Sequence, residues 1–262
     1  MTDSKWSSIS SRKVHYIEEL DSTNIHAHKL AESGAEEGET VVADRQLKGR
    51  GRLSRTWQSP AGKNVYLSII IKPSLLLPER ASQITIAAGV AVAQVISIYC
   101  RGNAMLKWPN DVLVNNKKIC GILTELKTKG REIDYIVVGI GINVNIAKDE
   151  FPEEFRERAT SIFEETARLS SRIDVARDIC RSFDVWRHRL LHAGGFESVR
   201  EEWLRISAMK GKTVKIDDRG TLHVGTMENL GDCGELILRD NEGRLIPILA
   251  GDATVLKEEQ CS

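Results

Sequence analysis

Residues 107–125 read KWPNDVLVNNKKICGILTE. The run 104–107 spells a strand, and Pro109 stops it because proline donates nothing to a β ladder. Trp108, Pro109, Asn110 and Asp111 then make a rigid turn carrying an amide and a carboxylate. Residues 112–114 and 118–126 are two further strands, and Asn115-Asn116-Lys117 between them is a hairpin signature. The stretch thus specifies antiparallel strands with polar groups gathered at a strand end. Lys107 and Lys118 each suit a phosphate or a carboxylate. Asp111 helps hold magnesium, orients a lysine, or caps the turn. Gly121 is small enough for a ligand to lie against the backbone.

Upstream, residues 49–60 read GRGRLSRTWQSP. Arg50, Arg52 and Arg55 offer planar forks of donors suited to carboxylate and phosphate. Gly49 and Gly51 let the chain take conformations closed to other residues. The combination describes a mobile loop that closes on an anion; the plain alternative is a solvated basic turn. Trp57 anchors this loop, stacks on a ligand, or belongs to the core. A strand over 40–43 leads through Asp44 and Arg45 to Gln46, whose amide both donates and accepts, as an amide-like or urea-like ligand requires. Earlier still, a strand over 14–17 runs into Ser22-Thr23-Asn24. Asp21, Ser22 or Thr23 caps a helix that Gly34 closes, and free N–H groups at a helix start also suit a small polar ligand.

The order GRGRxxRxW, KWPND, KKIxGILxE and then GIGIN at 139–143 resembles the biotin protein ligases. The resemblance is specific from about residue 22 to about residue 145 and weaker beyond. It implies a class II tRNA synthetase-like mixed sheet with flanking helices, an α+β fold, followed by a small SH3-like β-barrel. It also implies an ATP-dependent ligase that forms biotinoyl-5′-AMP and transfers biotin to a lysine of a biotin carboxyl carrier protein. Biotin, ATP and magnesium are then its small ligands. Under the same resemblance Ser22, Thr23, Asn24, Gln46, Arg50, Gly51, Arg52, Lys118 and Gly121 contact biotin. Arg52, Arg55, Trp57, Lys107, Asn110, Asp111 and Asn143 serve ATP, and Arg52 and Lys118 serve the reacting centre. A related lipoate or octanoate transferase is the alternative, although KWPND is absent there. A binding module that responds to biotin without catalysis is another.

The remaining chain agrees with that frame. Residues 64–71 form a nearly continuous apolar run, as a strand buried on both faces would. A long, mostly apolar helix extends from Pro78 to about Cys100. A strand over 134–138 ends in GIGIN, which is not a dinucleotide fingerprint because Val144 replaces its third glycine. Residues 150–208 read as helical, with apolar positions at helical spacing. From Lys212 short strands alternate with turns, giving an expected division into 1–209, the biotin and ATP domain, and 210–262, the barrel. His188 and His192 lie one turn apart, but the sequence offers no clear further metal ligand.

The chain has 262 residues, with 37 basic and 37 acidic side chains. Zero net charge gives no support for a DNA or membrane surface, so any cationic site is local. No apolar run is expected to match the roughly 20 residues of a membrane span. The polar start, without a signal-peptide core, points to the cytosol, and with nothing before the first strand no winged helix-turn-helix is expected. Five cysteines, far apart and without a CxxC, point to reduced thiols rather than zinc or disulfides. Cys120 reads as a packed thiol, not a nucleophile. An exposed sheet edge leaves room for a homodimer.

Overall fold

The structure, a computed structural model, describes residues 3–74, 76–192 and 194–256. After a short helix α1 (Asp3–Trp6) come β1 (Val14–Leu20), α2 (Thr23–Glu32), β2 (Thr40–Gln46) and β3 (Val65–Ile71). Helix α3 (Ser82–Tyr99) precedes β4 (Met105–Lys107), β5 (Asp111–Val114), β6 (Lys117–Lys129) and β7 (Glu132–Ile142). Helices α4 (Ile162–Thr166), α5 (Arg172–Leu191) and α6 (Gly195–Arg205) follow. The last strands are β8 (Thr213–Asp218), β9 (Thr221–Leu230), β10 (Leu236–Arg239), β11 (Leu245–Ile248) and β12 (Asp252–Val255).

The first seven strands form one sheet in the order β1-β2-β3-β7-β6-β5-β4. The β1–β2 pair is parallel and the other pairs are antiparallel, so the sheet is mixed. Side-chain alternation sorts its two faces. Val65, Leu67, Ile69 and Ile71 of β3, with Ile136, Val138, Ile140 and Ile142 of β7, join the core formed with α3 and α5. Ile70 and Val137, one register step away, pack with Ala27 and Ala31 of α2 on the other face. Ser68, Gly139 and Gly141 share that second parity, and this is the face on which the polar site is built.

All seven residues of β3 are buried, as their continuous apolar run requires. Asn115 and Asn116 both take positive φ, 50° and 61°, as the hairpin signature requires. Strand β7 does not end before GIGIN but runs through its glycines to Ile142. Residues 151–161 are not helical, contrary to the sequence reading. Instead Lys118 N–H donates to the Arg158 carbonyl and Thr160 N–H donates to the Lys118 carbonyl, so this segment extends the sheet locally beside Lys118. The absence of a membrane-length apolar run also needs correcting. Pro78–Tyr99, 22 residues, is long and apolar enough to cross a membrane, but the fold packs it between the sheet and α5 as a core helix.

Strands β8–β12 form a five-stranded antiparallel sheet, ordered β11-β10-β9-β8-β12. Its buried residues Val214, Leu230, Leu236 and Ile248 belong to the same apolar core as α3. Trp108 of the KWPND turn donates its indole N–H to the Gly234 carbonyl at 3.1 Å, and Gln83 of α3 donates to the Asp232 carbonyl at 2.6 Å. The C-terminal sheet is thus packed against the very turn that carries Asn110 and Asp111. Cys261 lies outside the described residues; the four described cysteines are free thiols.

Candidate functional site

One end of the site is neutral. Ser22 is the N-cap residue of α2, but its hydroxyl does not cap the helix. The first free helical donor, Thr23 N–H, goes to Gln46 Oε1 at 2.8 Å, and Thr23 Oγ1 lies 3.1 Å from the same oxygen. That fixes the amide of Gln46, whose Nε2 donates to Ser59 Oγ at 2.9 Å, and Ser59 Oγ donates onward to the Trp57 carbonyl. Beneath them Ser68 Oγ, fully buried on β3, is 2.8 Å from Thr23 Oγ1 and 2.6 Å from Asn24 Oδ1. Asn24 Nδ2 donates to Glu125 Oε2 at 2.8 Å and to the Leu123 carbonyl at 3.2 Å. Gly139 makes room for this: a Cβ there would stand 2.0 Å from Asn24 Oδ1.

The other end is ionic. The loop 49–57 folds back on itself, with Gly51 N–H donating to the Arg55 carbonyl at 2.7 Å and Trp57 N–H to the Gly49 carbonyl at 2.8 Å. Gly49 is obligatory here, since a Cβ would meet the Trp57 carbonyl oxygen at 2.3 Å. Trp57 lies on a floor of two glycines that face each other across β6 and β7, Gly121 and Gly141. A Cβ on Gly141 would stand 2.5 Å from the indole nitrogen, and one on Gly121 would stand 3.1 Å from Cζ3. The indole N–H itself is buried without a hydrogen-bond partner among the described residues.

Lys118 Nζ sits 5.4 Å from the Trp57 ring centroid and 2.6 Å from Asp111 Oδ1. That carboxylate oxygen is buried and held by the ion pair rather than by an aligned hydrogen bond. Asn110 donates to the Ile122 carbonyl at 2.7 Å and accepts from Arg52 Nη1 at 3.4 Å. Lys107 closes β4 opposite Asp111, and its ammonium group has no hydrogen bond or ion pair among the described residues. Asn143 is buried, and its Nδ2 donates to the Thr160 carbonyl at 3.0 Å. Its amide therefore braces the segment that flanks Lys118.

The three loop arginines do not wait for an outside anion, as a solitary Arg-Gly loop would. Arg50 Nη2 is 3.0 Å from Glu125 Oε1. Arg52 and Arg55 both meet Asp252, and Arg52 Nη2 also donates to the Gly251 carbonyl at 3.2 Å. The His28 ring, 3.8 Å from the Glu125 carboxylate, acts with the Asn24 amide and Arg50 to hold Glu125 below the ordinary carboxylate range against its burial. For Arg52 burial acts the other way and pulls it down, while Asp252 and Asp111 oppose the pull. Four participants escaped the sequence reading: Ser68, Ser59, Glu125 and Asp252. Glu125 and Ser59 stood inside the quoted motifs, as the final E of one and the Ser-Pro serine of the other; Ser68 and Asp252 carry no local signal.

Residues 16–143 match the biotin/lipoate A/B protein ligase family. The biotin–[acetyl-CoA-carboxylase] ligase of Paracoccus denitrificans is 34% identical over 230 residues, 86% of this chain and 94% of that protein. This chain belongs to the biotin protein ligases. The bifunctional ligase/repressor BirA of Bacillus subtilis is 36% identical over 228 residues, covering 87% of this ligase and 70% of BirA. The biotin protein ligase of Aquifex aeolicus, solved in complex with biotin and ATP, aligns with a TM-score of 0.80 at 30% identity, covering 94% of this ligase and 99% of that chain. Cys120, on β6 between Lys118 and Gly121, is wholly buried, and burial pushes its thiol above its ordinary range.

Proposed function

We propose that this ligase joins biotin to a carrier lysine in two steps at the junction of the neutral and ionic ends. In the first, a biotin carboxylate oxygen attacks the α-phosphorus of ATP. The bond to the β-phosphate oxygen breaks, biotinoyl-5′-AMP forms, and pyrophosphate leaves with the electron pair. In the second, a neutral lysine amine of a biotin carboxyl carrier protein attacks the acyl carbon. AMP leaves and the amine loses its proton.

Neither step needs an enzyme nucleophile. Both need two anions brought together and the growing charge stabilised. The observation that carries the reading is the placement of Lys118 and Trp57 over the Gly121–Gly141 floor, with Arg52 on Asn110 of the adjoining turn and the amide and hydroxyl groups of Thr23, Asn24 and Gln46 at the other end. The neutral groups suit the ureido ring of biotin. Lys118 and Arg52 suit its carboxylate and the α-phosphate, and Lys107 and Arg55 the nucleotide beyond. Like charges on one loop are unfavourable without an anion; Asp111 fills that role for Lys118 until substrate oxygens take it over, and Asp252 steadies Arg52 and Arg55.

Magnesium accepts one or two carboxylates, with phosphate oxygens and water completing its shell. Among the described residues no group of three His, Cys, Asp or Glu side chains is assembled. Asp111, partly exposed beside Lys118, fits that sparse requirement, and an ion bound there would neutralise phosphate charge. We also read residues 210–262 as an SH3-like barrel domain; the five-stranded antiparallel sheet is what supports this. Pyrophosphate release with biotin, lipoate and octanoate tests the reaction. Release is expected with biotin alone. Release with lipoate or octanoate instead would assign another acid, and biotin binding without release would reduce the chain to a binding module.

A further inference from the structure

Asp252 opens β12, an outer strand of the C-terminal sheet, 197 residues beyond Arg55. Its carboxylate pairs with Arg55, and its Oδ1 lies 3.8 Å from Arg52 Nη1. The adjacent Gly251 carbonyl accepts from Arg52 Nη2 at 3.2 Å, while Arg52 Nη1 reaches Asn110 Oδ1 at 3.4 Å. One guanidinium therefore ties the KWPND turn to the C-terminal sheet. Gly251 has φ +138°, and a Cβ there would stand 2.8 Å from the Asp217 carbonyl oxygen and 2.7 Å from Ile216 Cγ2. Only glycine fits against β8, which fixes where the accepting carbonyl points.

The sheet by itself gives no reason for a carboxylate at this place. Asp252 stands opposite Asp217 in the β12–β8 register, and like charges across a ladder are unfavourable. The two guanidiniums from the loop offset that repulsion. Arg52 is three-quarters buried (24% exposed side chain), so its orientation is set by these few acceptors rather than by solvent.

We propose that Asp252, together with the Gly251 carbonyl, is a positioning site that sets the reach of Arg52 over the reacting centre and makes retention of the adenylate depend on the C-terminal sheet. The role in retention rests on the ligase reading above; the mooring of the loop is measurable without turnover.

The test is Asp252→Asn in the full chain, beside Asp252→Glu. Tryptic cutting after Arg52 and Arg55 is scored against cutting after Arg219, an exposed turn residue with φ 53°. Asp252→Asn is expected to raise loop cutting several-fold and to release biotinoyl-AMP about tenfold faster, as loss of a charge-assisted hold predicts. Affinity for biotin without ATP should stay within about twofold, since the neutral contacts are untouched. Asp252→Glu should restore most of the protection. In the parent, about 1 M salt, where the Debye length is ~3 Å, should raise loop cutting as the Asn variant does. This last comparison needs no substitution, so it stands even if Asp252→Asn misfolds. Parent-like cutting in both Asp252→Asn and high salt would overturn the mooring. Altered cutting with unchanged adenylate release would overturn the role in retention. A parent that makes no biotinoyl-AMP would instead sink the ligase reading and leave the cutting data to judge the mooring.

Discussion

The two ends of the site are held by different physics. At the neutral end, Thr23, Asn24, Gln46, Ser59 and Ser68 form a chain of short hydrogen bonds around one buried hydroxyl. At the ionic end, Lys118, Arg50, Arg52 and Arg55 each rest on a carboxylate supplied by the protein. Neutral buried hydrogen bonds are directional and costly to leave unmade, so they pre-form a pocket. Ion pairs near the surface are worth little net and exchange readily for other anions. One end is built to keep its geometry, and the other to offer cations to a substrate while protein carboxylates keep them in reach.

Removing one cation at the ionic end should give the largest effect. Lys118→Gln keeps the stem but not the charge, and should lower biotin-dependent pyrophosphate exchange by at least ~100-fold, the order for one lost electrostatic stabiliser. Transfer from added biotinoyl-AMP in a single turnover should suffer less, because AMP already carries the leaving charge. Circular dichroism should match the parent. Normal exchange in Lys118→Gln alongside lost exchange in Lys107→Gln would reverse the two lysines' roles.

Breaking the neutral end should be felt in binding and stability rather than in the chemical step. Ser68→Ala leaves Asn24 Oδ1 without its donor, a loss of about 1–3 kcal/mol for an unsatisfied buried group. Biotin affinity should fall roughly tenfold and the melting temperature by several degrees, with little dependence on salt. An Ser68→Ala protein that binds biotin normally would show that Asn24 is oriented by Glu125 and Leu123 alone.

Arg52→Gly should still make some adenylate but release it about tenfold faster, the size expected when a charge-assisted hydrogen bond is lost. Unchanged release would remove Arg52 from the site.

The smallest effect concerns pH and joins the two ends. Glu125 binds both Asn24 and Arg50, and its pKa is lowered from 4.5. A depressed carboxylate contributes stability that is present above its unfolded pKa and lost as pH falls through the folded one. Biotin binding should therefore be level from about pH 8 to pH 5, spanning values above the ordinary carboxylate range, and should fall below it. Glu125→Gln should bind biotin less tightly at neutral pH and lose less than the parent on acidification. An acid limb unchanged by the substitution would place its origin elsewhere.

Much of the fold could be read locally. The Asn115-Asn116 turn, the apolar β3 and the helix after Pro78 are each dictated by a few adjacent residues, through positive φ, alternation or continuous burial. The segment 151–161 could not be read that way. Its polar-apolar mixture looked helical, but it makes only local turns, and its Arg158 carbonyl and Thr160 N–H are taken by Lys118, a partner about 40 residues away in sequence. Similarly, the glycines of GIGIN looked like the end of a strand. Only their neighbours Asn24 and Trp57, from distant segments, show why side chains are excluded there.

By itself the sequence determined which chemistry is present: arginines on a glycine-bearing loop, two lysines around a rigid turn, and amide and hydroxyl groups at a helix start. Those choices are local because propensity, turn geometry and charge act over a few residues. Tertiary structure alone decided how that chemistry is held. Ser68 reaches Asn24 across the sheet, Glu125 joins the helix to the loop, and Asp252 meets Arg52 and Arg55 from the far end of the chain. A counter-ion is recognised by distance in space, and nothing in the residues around Asp252 states which cation it will meet.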